Sequence, residues 1–219
     1  MKKSVILIGV IGLLVIGGGI WVYSMRDSIG TTIDTSQTTT NASRQSLVES
    51  IPKSETEKIL ETYTGDEHDR FFIANMIAHH QGAVDMAKLA QTNAKHTELK
   101  TMANDIISAQ TTEINNMLSW QKAWGYPASS GEMMIDHSAM NMMGDMEAMT
   151  AELKNLNGEA FDKKFIELMI EHHKSAVSMA RPGAKNAGHQ EVKDLTKAII
   201  DAQTSEISQM QQWQKDWGY

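Results

Sequence analysis

The sequence predicts an all-α protein, a helical bundle built from two copies of one helical hairpin. Three observations carry this. First, the phrase FIANMIAHHQGAVDMA at 72–87 returns as FIELMIEHHKSAVSMA at 165–180, a shift of 93 residues. Second, the register continues without a gap: AQTTEINNMLSWQKAWGY at 109–126 matches AQTSEISQMQQWQKDWGY at 202–219, and about half the positions of 69–126 equal their partners. Third, the 219 residues hold only 3 Pro but 16 Met, a composition that long helices tolerate, with no strand-like alternation of any length. A lone helix pair leaves its apolar face wet, so the two copies should share one domain.

Taken in order, the elements have local reasons. Lys2 and Lys3 precede an uncharged apolar run at 4–23, about 20 residues and long enough to cross a bilayer, with Trp21 and Tyr23 at the interfacial end. Residues 1–25 are therefore expected to be a transmembrane anchor or signal segment. An anchor is favoured because no small-x-small cleavage pattern follows, and the domain behind it would lie outside the cytoplasm. Residues 26–52 are rich in Ser, Thr, Gln and Asn and are expected to be a flexible polar linker. The bundle domain is expected at 53–219, with repeat one at 54–126, a Met-rich connector at 127–146 and repeat two at 147–219.

Within repeat one, SETEKILETY reads as a short capped helix, Gly65 as a turn, and 66–93 and 97–124 as long helices. Repeat two follows suit at 147–156, 159–181 and 190–217, with Pro182-Gly183 ending the middle helix.

Composition excludes several chemistries. Cys is absent, which removes disulfides, thiolate zinc sites, iron–sulfur clusters and cysteine nucleophiles. A net charge of −7 and a pI of about 5.6 argue against a nucleic-acid partner. No Ser or Thr stands in a nucleophile elbow, and the protein is expected not to be an enzyme.

At 100° per residue, His79 and His80 fall on or beside the apolar arc of Phe72, Ile73, Met76, Ala83 and Met86, and His172 and His173 repeat the placement. On the partner helices Gln110 and Glu113, and again Gln203 and Glu206, interrupt the apolar stripe. A carboxylate there needs a partner, and a histidine is the natural one. Glu113 and Glu206 either orient the imidazoles or bind an ion themselves. A single inward His is ordinarily a hydrogen-bonded core residue; two inward pairs facing Glu and Gln point instead to a metal site. Met117 and Met210 read as core, whereas Met76 and Met169, three residues before a His, share its face.

The connector sharpens the choice of ion. GEMMIDHSAMNMMGDMEAM at 131–149 places Met133, Met134, Met140, Met142, Met143, Met146 and Met149 around His137. Thioether and imidazole donors favour Cu(I), with Ag(I) as its mimic, and Cu(II) through imidazole alone. Linker thioethers do not titrate, whereas imidazole binding should fade as His protonates near ~6.5.

In the doubled F-x-x-x-M-I-x-H-H-x-x-A-V-x-M-A phrase, each followed by A-Q-x-x-E-I, the chain resembles the bacterial domain of unknown function family 305 (DUF305) over 54–219. The resemblance implies a ferritin-like four-helix bundle and, for the copper-binding members, extracytoplasmic copper binding and tolerance through His and Met. Carried over, His79, His80, His172 and His173 match the paired histidines, and Met76, Met86, Met169 and Met179 the methionines flanking them. The connector methionines match only in kind.

The sequence thus predicts a membrane-tethered protein that captures copper, buffers it or hands it to a copper-transfer protein. Three other readings compete. A di-iron protein would need Glu-x-x-His, and no histidine has Glu three positions before it. A haem protein could use His and Met as axial ligands. A structural surface module would use HH and Glu as a hydrogen-bond network alone.

Overall fold

The computed structural model describes residues 35–126 and 137–219, with side chains described throughout except at 35–41, 137–143 and 145. Among the described residues the regular structure is entirely helical: α1 (Thr35–Ser50), α2 (Glu55–Leu60), α3 (Asp66–Asn93), α4 (Thr97–Ala123), α5 (His137–Leu153), α6 (Gly158–Ala180), α7 (Gly183–Asn186) and α8 (Gln190–Trp217). The expected membrane segment lies outside the described residues, and no described helix is long and apolar enough to cross a membrane.

The duplicated unit appears as α3–α4 and α6–α8, each hairpin packed internally, with α3 and α6 joining the two. Chain-reversing glycines open both long helices: Gly65 and Gly158 have φ of 61° and 60°, a conformation that disfavours side chains. Each then bridges to the turn between the two long helices of the other repeat, Gly65 to Ala187 and Gly158 to Ala94. The start of α3 therefore lies beside the chain leaving α6, and the end of α3 beside the start of α6. The two helices run antiparallel.

That direction divides the apolar interior into two clusters. One combines the late part of α3 (Ala83, Met86, Ala87, Ala90) with the early part of α6 (Phe161, Phe165, Ile166, Met169), plus Leu99, Ile106, Ile207 and Met210. The other combines early α3 (Phe72, Ile73, Met76) with late α6 (Ala176, Met179, Ala180), plus Met117, Val192, Leu195 and Ile199. Met117 and Met210 are fully buried, as core residues should be. The histidine pairs fall in sequence between the two clusters on both helices, at the waist of the core.

Two segments differ from expectation. Thr35–Ser50 forms helix α1, within the stretch expected to be a flexible linker. Polar as they are, residues 35–50 hold neither Pro nor Gly, and the end of the helix is held by tertiary contacts. Ile51 is buried, Leu47 packs on the core, and Arg181 Nη1 donates to the carbonyls of Val48 (3.1 Å) and Ile51 (2.9 Å). The connector likewise becomes helical from His137, so that α5 continues through Met146 into the region expected to begin repeat two. α6 does end just before Pro182-Gly183, but Gly183 then opens a short α7.

Helix α5 lies against α3 because Gly82 leaves room. A Cβ at Gly82 would come within 2.9 Å of Met146 Cγ and Sδ. Gly82→Val is therefore expected to lift α5 from α3 and destabilise the protein by about 1–3 kcal/mol. Limited proteolysis checks this: cleavage within His137–Leu153 should accelerate, and an unchanged digestion rate would mean that Met146 repacks without loss.

Candidate metal centre

α3 and α6 bring all four paired histidines together, each with no exposed surface. The inner pair, His79 and His172, approach with ring centroids 3.8 Å apart, and each stands about one ring further from its chain neighbour, 6.4 Å from His79 to His80 and 6.1 Å from His172 to His173. His172 Nε2 donates to the His79 carbonyl at 3.0 Å. The outer pair face the glutamates of the partner helices. His80 Nε2 lies 2.7 Å from Glu113 Oε2 in a hydrogen bond, and His173 Nε2 lies 2.7 Å from Glu206 Oε2 but outside hydrogen-bond alignment.

The unused polar atoms are the informative part. Both nitrogens of His79 and Nδ1 of His80, His172 and His173 are buried without a hydrogen-bond partner, as are Oε1 of Gln110 and Oε1 of Gln203. An unsatisfied buried polar group destabilises a protein by ~1–3 kcal/mol, so a cluster of them at the centre of a core is expensive unless a ligand completes it. Burial pushes His79 well below the ordinary histidine range, with His172, His80 and His173 adding to the effect; burial does the same to His172, helped by His173 and His80. These two rings are neutral at physiological pH. Neutral imidazoles present lone pairs, as metal ligands must.

The methionines divide into those that are described and those that are not. Met76 and Met179 are buried in one core cluster and Met86 and Met169 in the other, so all four flank the histidine waist from its two sides. Met146 is buried against α3. Met133 and Met134 lie outside the described residues, and so do the side chains of His137, Met140, Met142 and Met143, whose backbone belongs to α5. Gln110 and Gln203 are buried, whereas the Glu113 and Glu206 side chains keep 21% and 25% of their surface, which gives the cluster an edge toward solvent.

A further set of residues was not singled out by the helical wheel. Asp162 accepts from Lys95 N (2.9 Å), His96 N (3.0 Å) and His96 Nδ1 (2.6 Å), while Asp69 accepts from Gly188 N (3.0 Å), His189 N (2.8 Å) and His189 Nδ1 (2.8 Å). Each carboxylate thus ties down the two residues that lead into the second long helix of the other repeat and lies close to that helix's N-terminus. The closing Trp-Gly-Tyr segments finish the clamp: Trp217 stacks on His96 at 3.8 Å and Trp124 on His189 at 3.7 Å. Burial works to raise the Asp69 carboxyl, but His68, the His189 main chain and ring, and Gly188 N–H together hold it below the usual range. Identity between the repeats at Asp69/Asp162 and His96/His189 was the available signal. The pairing across repeats was not readable, because it depends on α3 and α6 being antiparallel.

Comparison with known proteins supplies independent findings. The family model described as "Domain of unknown function (DUF305)" matches residues 21–117 and 69–214. A solved structure of CopM in its Cu(I)-bound form is 36% identical, with 68% of this chain and 96% of that one covered and a TM-score of 0.54; CopM in its Cu(II)-bound form is 36% identical over 68% and 98%, with a TM-score of 0.55. A DUF305 protein of Streptomyces coelicolor assigned as secreted is 27% identical over 68% and 93%, with a TM-score of 0.60. No curated protein sequence matches.

Proposed function

The chain belongs to the DUF305 family, and from that premise we propose that it is an extracytoplasmic, membrane-tethered protein that binds copper without catalysing a reaction. The observation that carries this reading is the cluster of four buried imidazoles, each with at least one ring nitrogen that has no hydrogen-bond partner. Its donor chemistry fits the ion: imidazole from His79, His80, His172 and His173, with thioethers of Met76, Met86, Met169 and Met179 in the core on either side. Such a donor set favours Cu(I), with Ag(I) as its mimic, and serves Cu(II) through imidazole. Solved structures of the related CopM include Cu(I)-bound, Cu(II)-bound and Ag-bound forms.

The architecture belongs to the same proposal. Two hairpins, 54–126 and 147–219, make a ferritin-like four-helix bundle over 53–219, held to the membrane by 1–25 through the segment 26–52 and joined by the Met-rich connector 127–146. His137 and Met133, Met134, Met140, Met142, Met143 and Met146 of the connector collect the ion weakly and pass it inward. Glu113 and Glu206 orient His80 and His173, with Gln110 and Gln203 beside them, so that the imidazole lone pairs point into the cluster. From there copper is buffered or transferred to a partner protein. Because burial keeps His79 and His172 neutral well below the ordinary value of 6.5, the bundle site holds its ion at a lower pH than free imidazole would.

A di-iron centre is disfavoured by its need for several buried carboxylates: the glutamates facing this cluster are Glu113 and Glu206, both partly exposed.

The division between collector and bundle is tested by anaerobic Cu(I) titration against a chelator, followed by elemental analysis. Replacing the six connector methionines by leucine is expected to remove the weak binding steps and leave the tightest one intact. Loss of the tightest step in that variant would transfer the main site to the connector and defeat the proposal.

A further inference from the structure

The two clamps are equivalent in sequence but not in chemistry, and the difference points to a ligand. In the clamp at His96, the residues around Asp162 are Glu159, Phe161 and Lys95. Lys95 Nζ sits 2.9 Å from Glu159 Oε2, so a protein cation already answers the carboxylates, and Phe161 is apolar core. In the clamp at His189 the corresponding residues are Asp66, His68 and Gly188. Gly188 has no side chain to contribute and no space for one: a Cβ there would stand 2.9 Å from the Gly65 carbonyl carbon. Lys95 therefore has no counterpart in this clamp, and an imidazole replaces the phenyl ring.

We propose that Asp66, Asp69 and His189, with His68 behind them, form a second metal site, separate from the paired histidines, for a borderline divalent cation of the Zn(II) class. Ligand atoms of Asp66, Asp69 and His189 all lie within 4.8 Å of one another. His189 Nδ1 is 2.8 Å from Asp69 Oδ2 and 3.9 Å from Asp66 Oδ1. Nitrogen and oxygen ligands on a tetrahedral zinc, each ~2.0–2.2 Å from the ion, stand ~3.4 Å apart, so a small opening of the existing pair suffices. The metal would take the place of the Nδ1 proton that His189 now donates.

His68 is the second, independent sign. It is completely buried, neither ring nitrogen makes a hydrogen bond of normal length, and Nδ1 faces Asp69 Oδ1 at 3.6 Å, the oxygen on the side away from the His189 ring contact. A satisfied clamp needs no such imidazole, and its twin, with Phe161, manages without one. With no sulfur, the set selects against Cu(I) and for a divalent ion bound by imidazole and carboxylate. The proposal does not depend on the copper reading.

The test uses full-length protein preloaded with Ag(I) to occupy the soft site, then titrated with Zn(II). Zinc per chain is read by elemental analysis after desalting, and binding by the fluorescence of Trp124, which stacks on His189. The unsubstituted protein is expected to take up one Zn(II). Asp66→Asn, at an exposed side chain, and His68→Phe, which copies the twin, should each weaken Zn(II) binding by about tenfold or more while Ag(I) uptake is unchanged. Absence of Zn(II) binding to the unsubstituted protein, or unaltered affinity in either variant, would overturn the assignment.

Discussion

Replacing His79 and His172 together by leucine is expected to stabilise the metal-free protein and at the same time to abolish its tight copper binding. The two rings are fully buried and neutral, and three of their four nitrogens have no partner. Leucine fills a similar volume without unsatisfied polar atoms, and each such atom relieved is worth ~1–3 kcal/mol before repacking losses. A net gain of about 2 kcal/mol in urea unfolding of the apo protein is the expected result, with copper affinity falling by ~100-fold or more once two of the imidazole donors are gone. Most core substitutions destabilise, so a gain here would identify the histidines as retained for binding rather than for folding. A loss of several kcal/mol with copper affinity intact would show that the imidazoles are a structural network, and the proposed function would fall.

The same pair should make the apo protein sensitive to acid. Burial lowers both pKa values in the folded state below the ordinary value of 6.5. As pH falls through 6.5, the unfolded chain takes up protons that the folded chain refuses, and stability must decline. Stability is thus fully present above 6.5 and is lost progressively down to the depressed folded values. For two such groups the slope approaches ~2.7 kcal/mol per pH unit, and the loss between pH 6.5 and 5.5 is about 2 kcal/mol. Urea unfolding across that interval measures it, and the double leucine variant isolates the share of His79 and His172 from that of the other ionising groups. Parallel stability curves for the two proteins would refute the claim that these rings stay neutral. Copper, which binds the neutral rings of the folded state, should flatten the decline.

Some of the structure was legible because it is local and periodic. The 3.6-residue spacing put Phe72, Met76, Ala83 and Met86 on one face, and the histidines at its edge; the burial of all four imidazoles follows that pattern. The pairing of His80 with Glu113 was readable for the same reason, since a carboxylate on an apolar stripe demands a donor. Helix α1 was not legible, because a Ser/Thr-rich stretch is a poor helix by composition and becomes ordered through Leu47, Ile51 and the Arg181 contacts. The extension of α5 back to His137 was hidden similarly: its seat on α3 depends on the missing Cβ of Gly82.

By itself, then, the amino-acid order determined the helical class, the duplication, and which residue types could meet an ion, because periodicity and repeat identity are properties of the chain. The tertiary structure alone decided that α3 and α6 run antiparallel. That single relation brings His79 onto His172 and sets Asp69 against His189 and Asp162 against His96. It also separates two clamps of matching sequence into one answered by Lys95 and one left with His68 and Gly188. The physical reason is that hydrogen-bond satisfaction and charge balance are settled between residues distant in sequence, and only packing specifies which of them are neighbours.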